Sequence, residues 1–208
     1  MANIITILRF PLLFAYVGLL YFGNGNAILW GVPFLLIIIL MDSVDGFIAR
    51  SRGEVSLLGS VLDIATDRTL EIVLWVVFAD LKIIPVIFPL IVITRGTIVD
   101  AIRAVGMSNG LAPFEQVKAR ISQFLVSSPF MRSIYGIAKA LAFVSLSLEL
   151  GFIKLSSPNL HIIHPISIAL SWFTVSLTIA RGLPVLIEGY ALLKNPPLKE
   201  QQAQSQPS

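Results

Sequence analysis

The 208-residue chain contains no cysteine. That excludes disulfides and thiolate metal sites. Charge is scarce as well: Asp, Glu, Lys and Arg make up 13% of the residues, about half of the roughly 25% usual in soluble domains. Hydrophobic residues reach 56%, so the sequence predicts an all-α integral membrane protein embedded in a lipid bilayer. The formal net charge is only +3, and no nucleic acid is expected as a partner. No stretch of ordinary composition is long enough for a second, soluble domain. The opening residues lack both a charged leader and a small-residue cleavage site, so the first segment is expected to stay on the protein.

What is present is a series of apolar runs. A helix needs about 20 mostly apolar residues to cross the hydrocarbon core. Six runs qualify, near residues 6–22, 27–47, 58–80, 83–104, 132–153 and 164–192. Arg9 interrupts the first, which is expected to begin at the interface and turn inward at Pro11. Breakers separate the runs: Gly23-Asn24-Gly25-Asn26, Arg50 to Glu54, Asp80-Leu81-Lys82, a polar stretch over 105–131, and Ser156-Ser157-Pro158-Asn159. Residues 1–193 form one membrane domain, and the polar, Pro/Gln-rich tail 194–208 is expected to be disordered. Basic residues crowd one set of loop ends (Arg9, Arg50, Arg52, Arg103, Lys118, Arg120, Arg132, Lys194 and Lys199), while Lys82 and Lys154 flank the other. That bias predicts six transmembrane helices with both termini in the cytoplasm.

Against this background the acids of residues 41–67, MDSVDGFIARSRGEVSLLGSVLDIATD, stand out. Asp42 and Asp45 are three apart, and Asp63 and Asp67 four apart, so each pair shares one helix face. A hairpin centred near Glu54 would bring both pairs to the same depth. Four like charges at short range cannot all stay ionised without a counterion. Two answers are open at this point: some acids are protonated, or cations sit among them. Arg50 and Arg68 can neutralise part of the charge. An all-oxygen site of this kind suits Mg²⁺ or Mn²⁺, and four carboxylates can hold two such ions about 3.5–4 Å apart around a transferring phosphoryl group. Gly46, Ala49, Gly53 and Gly59 leave room for a phosphorylated ligand, and Arg50 and Ser56 can donate to its phosphates.

The residues Asp42, Asp45-Gly46, Ala49-Arg50, Gly59, Asp63 and Asp67, at these fixed gaps, resemble the signature of the CDP-alcohol phosphatidyltransferase family. Asn3, Thr6 and Arg9 are similar to the short opening segment of many bacterial members. The resemblance implies six transmembrane helices with the active site on the cytoplasmic side, in a bacterial inner (plasma) membrane. It also implies transfer of a phosphatidyl group from CDP-diacylglycerol to a polar alcohol, with release of CMP. Asp42, Asp45, Asp63 and Asp67 would bind two Mg²⁺ or Mn²⁺ ions, Asp67 would also be the base, and Gly46, Ala49, Arg50, Ser56 and Gly59 would contact the CDP-lipid. Family members are commonly homodimers, which makes a homodimer an expectation here.

Acceptor binding is expected of the basic residues away from the signature: Arg95, Lys118, Arg120, Lys139 and Arg181. Their charge favours a phosphorylated alcohol. Residues 93–95 with Asp100 and Arg103 resemble the fourth-helix region of bacterial phosphatidylglycerophosphate synthases, with Gly96 where a Glu is usual; residues 62–68 resemble the inositol-using branch as closely. Glycerol 3-phosphate is the first expectation and inositol phosphate the alternative. A membrane prenyltransferase also uses aspartates and Mg²⁺, but in two motifs far apart in a longer chain. A small ion-coupled transporter would leave Gly46, Arg50 and Gly59 without a role.

Overall fold

The computed structural model describes the backbone of residues 2–51, 57–108 and 120–194, and within these ranges all side chains except those of 2–5, 42–58, 60, 106–108, 120–121, 127 and 190–194. Among the described residues seven helices run in order: α1 (Ala2–Phe22), α2 (Gly25–Ser51), α3 (Leu57–Asp80), α4 (Ile87–Ser108), α5 (Arg120–Ser127), α6 (Pro129–Lys154) and α7 (Leu160–Lys194). No strand occurs among the described residues. Six of the seven match the six apolar runs. The eight-residue α5 lies in the stretch read as polar connection, and residues 195–208 of the tail lie outside the described residues.

The helix ends follow local chemistry. Asn24 Oδ1 accepts from the Ala27 N–H at 2.8 Å and so caps the start of α2. Lys82 (φ 59°) and Ser156 (φ 50°) adopt the left-handed conformation just past α3 and α6. Each closes a paired end motif. The Ile83 N–H donates to Phe78 O and the Lys82 N–H to Ala79 O; the Ser157 N–H donates to Phe152 O and the Ser156 N–H to Ile153 O, all at 3.0 Å. Helix α1, by contrast, runs on through Pro11 instead of turning there. Pro33 is likewise carried inside α2, a tolerance typical of helices in lipid, where neighbours re-satisfy the freed backbone groups.

The contacts divide the chain into two compact units, Met1–Pro89 with Ala138–Trp172, and Leu90–Ile137 with Phe173–Ser208. In the first, α1 packs against α2 and α3. An aromatic cluster joins the later helices: Trp75 meets Phe143 edge-on at 5.1 Å and Phe88 at 6.0 Å, and Phe88 meets Trp172 at 4.8 Å. Helices α2 and α6 approach closely at Gly25 and Gly151, where a Cβ on Gly151 would lie 2.6 Å from Leu29 Cδ2. In the second unit Val99, Val126 and Val185 form a small buried core flanked by Ile102 and Leu186.

Large apolar side chains lie on the outside as well as in the core, and polar ones are buried with the core. Phe14, Trp30, Ile37, Leu40, Phe173 and Ile187 are more than half exposed, while Thr6, Arg9, Ser147, Glu149, Ser167, Ser171 and Thr174 are buried. Soluble proteins rarely show broad apolar surface of this kind. Helices α6 and α7 are long and apolar enough to cross a membrane, α7 over Leu160–Gly189. Shorter apolar stretches cover Thr6–Phe22 and Gly25–Met41. Helices α3 and α4 do not reach the same apolarity because Asp63, Asp67, Arg68 and Glu71 interrupt one and Arg95, Asp100 and Arg103 the other. The charge that weakens α3 as a membrane span is the charge that makes it a candidate site.

Candidate active site

Helix α3 presents Asp63, Asp67 and Glu71 at four-residue intervals, one above another on one face. Exposure falls along this ladder. The Asp63 and Asp67 side chains are each 48% exposed, whereas that of Glu71 is 2%. Gly59 lies one turn before Asp63 on the same face and adds no side chain there.

Two other helices bring cations to the ladder. Arg9 of α1, 1% exposed, places Nη1 at 4.0 Å from Asp63 Oδ1. Lys139 of α6, 11% exposed, places Nζ at 3.1 Å from Glu71 Oε2 and at 3.4 Å from each carboxylate oxygen of Asp67. Buried charge is costly unless it is paired, and these contacts explain why an arginine and a lysine lie deep in apolar helices. Thr6, one turn before Arg9, is buried with it. The sequence held a signal for Arg9: it is the only charge in its apolar run, and an intramembrane cation needs a partner. From sequence Arg9 reads as an interruption of the first run, and Lys139 as a candidate for the acceptor's phosphate.

Asp42, Asp45, Gly46, Ala49 and Arg50 belong to the last turns of α2, but their side chains lie outside the described residues, as does Ser56 altogether. The meeting of the two aspartate pairs therefore falls outside what is described. Among the described residues no group of three or more acidic, histidine or cysteine side chains is arranged to hold a metal ion. Asp63 and Asp67 alone do not make up such a group. The donor set fits hard divalent cations: carboxylate oxygens only, on two side chains open enough to exchange water for a ligand.

The remaining acceptor candidates have varied surroundings. Arg181 donates from Nη1 to Met131 O at 3.2 Å and from Nη2 to Val126 O at 3.5 Å, and its guanidinium lies 5.0 Å from the Tyr135 ring centroid. It braces the turn between α5 and α6. Arg95 is packed against Gly182, where a Cβ would come within 2.7 Å of its Cγ and Nε. Both arginines belong to the second unit. Lys118 and the side chain of Arg120 lie outside the described residues. At the turn between α6 and α7, His161 Nδ1 contacts Pro158 O, and His164 pairs with Glu149, which also accepts from Ser167. Glu149 is buried near the end of α6, where Ser167 and His164 satisfy it inside the bundle.

Comparison with known proteins agrees with the signature. A family model described as CDP-alcohol phosphatidyltransferase matches residues 1–180. Proteins provisionally named cardiolipin synthase, from Mycobacterium bovis and from the CDC 1551 and H37Rv strains of Mycobacterium tuberculosis, are 32% identical over 130 residues. The match covers 61% of this chain and 61% of each relative, so the chain spans about three fifths of the length of the curated relatives it matches.

Proposed function

Because this chain belongs to the CDP-alcohol phosphatidyltransferase family, we propose that it is a membrane transferase of phospholipid synthesis that moves a phosphatidyl group from CDP-diacylglycerol to a polar alcohol and releases CMP. The observation that carries this reading is the acid ladder of α3, half-exposed at Asp63 and Asp67 and flanked by the buried Arg9 and Lys139. Six helices cross the bacterial inner membrane in this reading, with both termini and the aspartates on the cytoplasmic side. A water-soluble nucleotide leaves there.

Asp42, Asp45, Asp63 and Asp67 would hold two Mg²⁺ or Mn²⁺ ions. When bound, such ions neutralise the diphosphate and the departing CMP. The chain's own residues do the rest. Arg50 and Ser56 donate to the phosphates of the CDP-lipid, and Gly46, Ala49 and Gly59 give it room. Asp67 accepts the proton of the acceptor hydroxyl as its oxygen bonds to the phosphorus that carries the diacylglycerol. The bond from that phosphorus to the bridging oxygen breaks, and CMP takes the electron pair. Arg9 holds Asp63 in place from α1.

The acceptor is proposed to be glycerol 3-phosphate, with inositol phosphate as the alternative in the same class; Arg95, Lys118, Arg120, Lys139 and Arg181 stand as candidates for its phosphate on charge. A second reading has support in the names of the mycobacterial relatives. Making cardiolipin by this chemistry requires phosphatidylglycerol, a lipid alcohol, as acceptor. Purified protein given CDP-diacylglycerol and Mn²⁺ with each acceptor in turn, followed by CMP release and the mass of the lipid product, separates these readings. Chelation by EDTA should stop CMP release and added Mn²⁺ restore it. No CMP with any acceptor, or activity indifferent to EDTA, would overturn the assignment.

A further inference from the structure

Of the three acids on this face of α3, Glu71 enters no step of the proposed transfer. It is nevertheless paired with the lysine that touches the proposed base, and the two contacts differ. Lys139 Nζ stands 3.1 Å from Glu71 and 3.4 Å from both Asp67 oxygens. A charge-assisted N–H···O bond is shorter still, about 2.7–2.9 Å, so the ammonium is nearer a full bond with Glu71 and only brushes Asp67. Burial acts in the same sense. Glu71 is 2% exposed and Asp67 48%, and attraction between charges is stronger where water does not screen it. The equal distances to Asp67 set the ammonium in front of both oxygens but back from them, so that a further approach would close the carboxylate to another cation.

We propose that Glu71 is a positioning residue that acts through Lys139: by holding the ammonium deeper along α3, it keeps the Asp67 carboxylate open to a divalent cation. Lys139 then screens Asp67 without capturing it. This rests on the metal reading given above. Without the charge of Glu71, the nearest acid left to Lys139 on this face is Asp67, and the ammonium closes on it as a competitor. Asp63, four residues before Asp67, keeps Arg9 in either case.

The test is Mn²⁺ binding to the full chain in detergent, followed by the EPR signal of free Mn²⁺ with no substrate present. Glu71→Gln should weaken Mn²⁺ binding by about tenfold, the low end of the loss expected when a residue orienting a metal ligand is removed. Lys139→Gln, which deletes the competitor, should tighten it by about twofold or more, and the double variant should return to within about threefold of wild type. A purely structural role for Glu71 would not be rescued by a second substitution. Unchanged affinity in Glu71→Gln, or a double variant as weak as the single one, overturns the proposal. Should Glu71→Gln fail to fold, Lys139→Gln decides: tighter binding supports the proposal, and unchanged or weaker binding overturns it. A wild-type chain that takes up no Mn²⁺ overturns the metal reading itself, an outcome distinct from failure of the Glu71 role.

Discussion

Glu71 and Glu149 are equally buried, each 2% exposed, and both belong to the first unit, yet their neighbours differ. Glu149 accepts from Ser167 and pairs with His164, and both partners sit within the same stretch of α7. Glu71 shares its cation with Asp67, which is half-exposed and carries a second acid, Asp63, one turn away. One acid is satisfied by neighbours on a single helix; the other is the closed end of a ladder whose open end is half-exposed. Deep burial of a carboxylate therefore does not mark a functional site. What separates the two is that only Glu71 shares its cation with a half-exposed acid.

The largest test of this contrast is Asp67→Asn. General-base catalysis alone contributes roughly 10²–10⁴-fold, so CMP release should fall by about 10³-fold or more, while the melting temperature stays close to wild type because the side chain is half-exposed. A variant with more than about a tenth of wild-type activity would remove Asp67 from the base role. Glu149→Gln should do the opposite. The hydrogen-bonded acid is lost, and stability should fall by about 1–3 kcal/mol, while turnover per folded molecule is retained. A loss of turnover at unchanged stability would erase the distinction between the two glutamates.

Gly151→Ala sharpens the comparison from the backbone side. The new Cβ would press on Leu29 and on Gly25 O, where α2 meets α6, and overpacking of this kind costs about 1–3 kcal/mol. Denaturation of the solubilised protein should show it. The smallest expected effect is a gain. Lys82 occupies the left-handed position after α3, which costs a non-glycine residue about 1 kcal/mol, so Lys82→Gly should stabilise by up to about that amount. A destabilised Lys82→Gly would mean that the lysine side chain holds the turn.

Much of the fold was legible because long apolar helices announce themselves by length. Six apolar runs marked six helices to within a few residues. Helix α5 escaped notice: eight residues of mixed character inside a polar stretch make no run at all. Pro11 misled because its effect in water, where a broken helix exposes its backbone to solvent, was carried over to surroundings in which α1 simply continues. The candidate site divides in the same way. Asp63, Asp67 and Gly59 were readable because their spacing is local to one helix. Their cations were not, since Lys139 lies 72 residues from Asp67 in sequence, and only packing decides that α6 delivers it there.

Lys154 gives that delivery its accuracy. Its ammonium donates to Leu20 O and Gly23 O, each at 2.9 Å, and to Tyr21 O at 3.3 Å, sealing the carboxyl end of α1 from the last turn of α6. Helix α1 carries Arg9 and α6 carries Lys139, so one amine sets a shared zero mark from which both cations are measured out along their rods. Removing a single residue between Lys139 and Lys154 would slide Lys139 by about 1.5 Å and swing it by about 100°. Conservative substitutions along this stretch leave that ruler intact, and changes in its length do not.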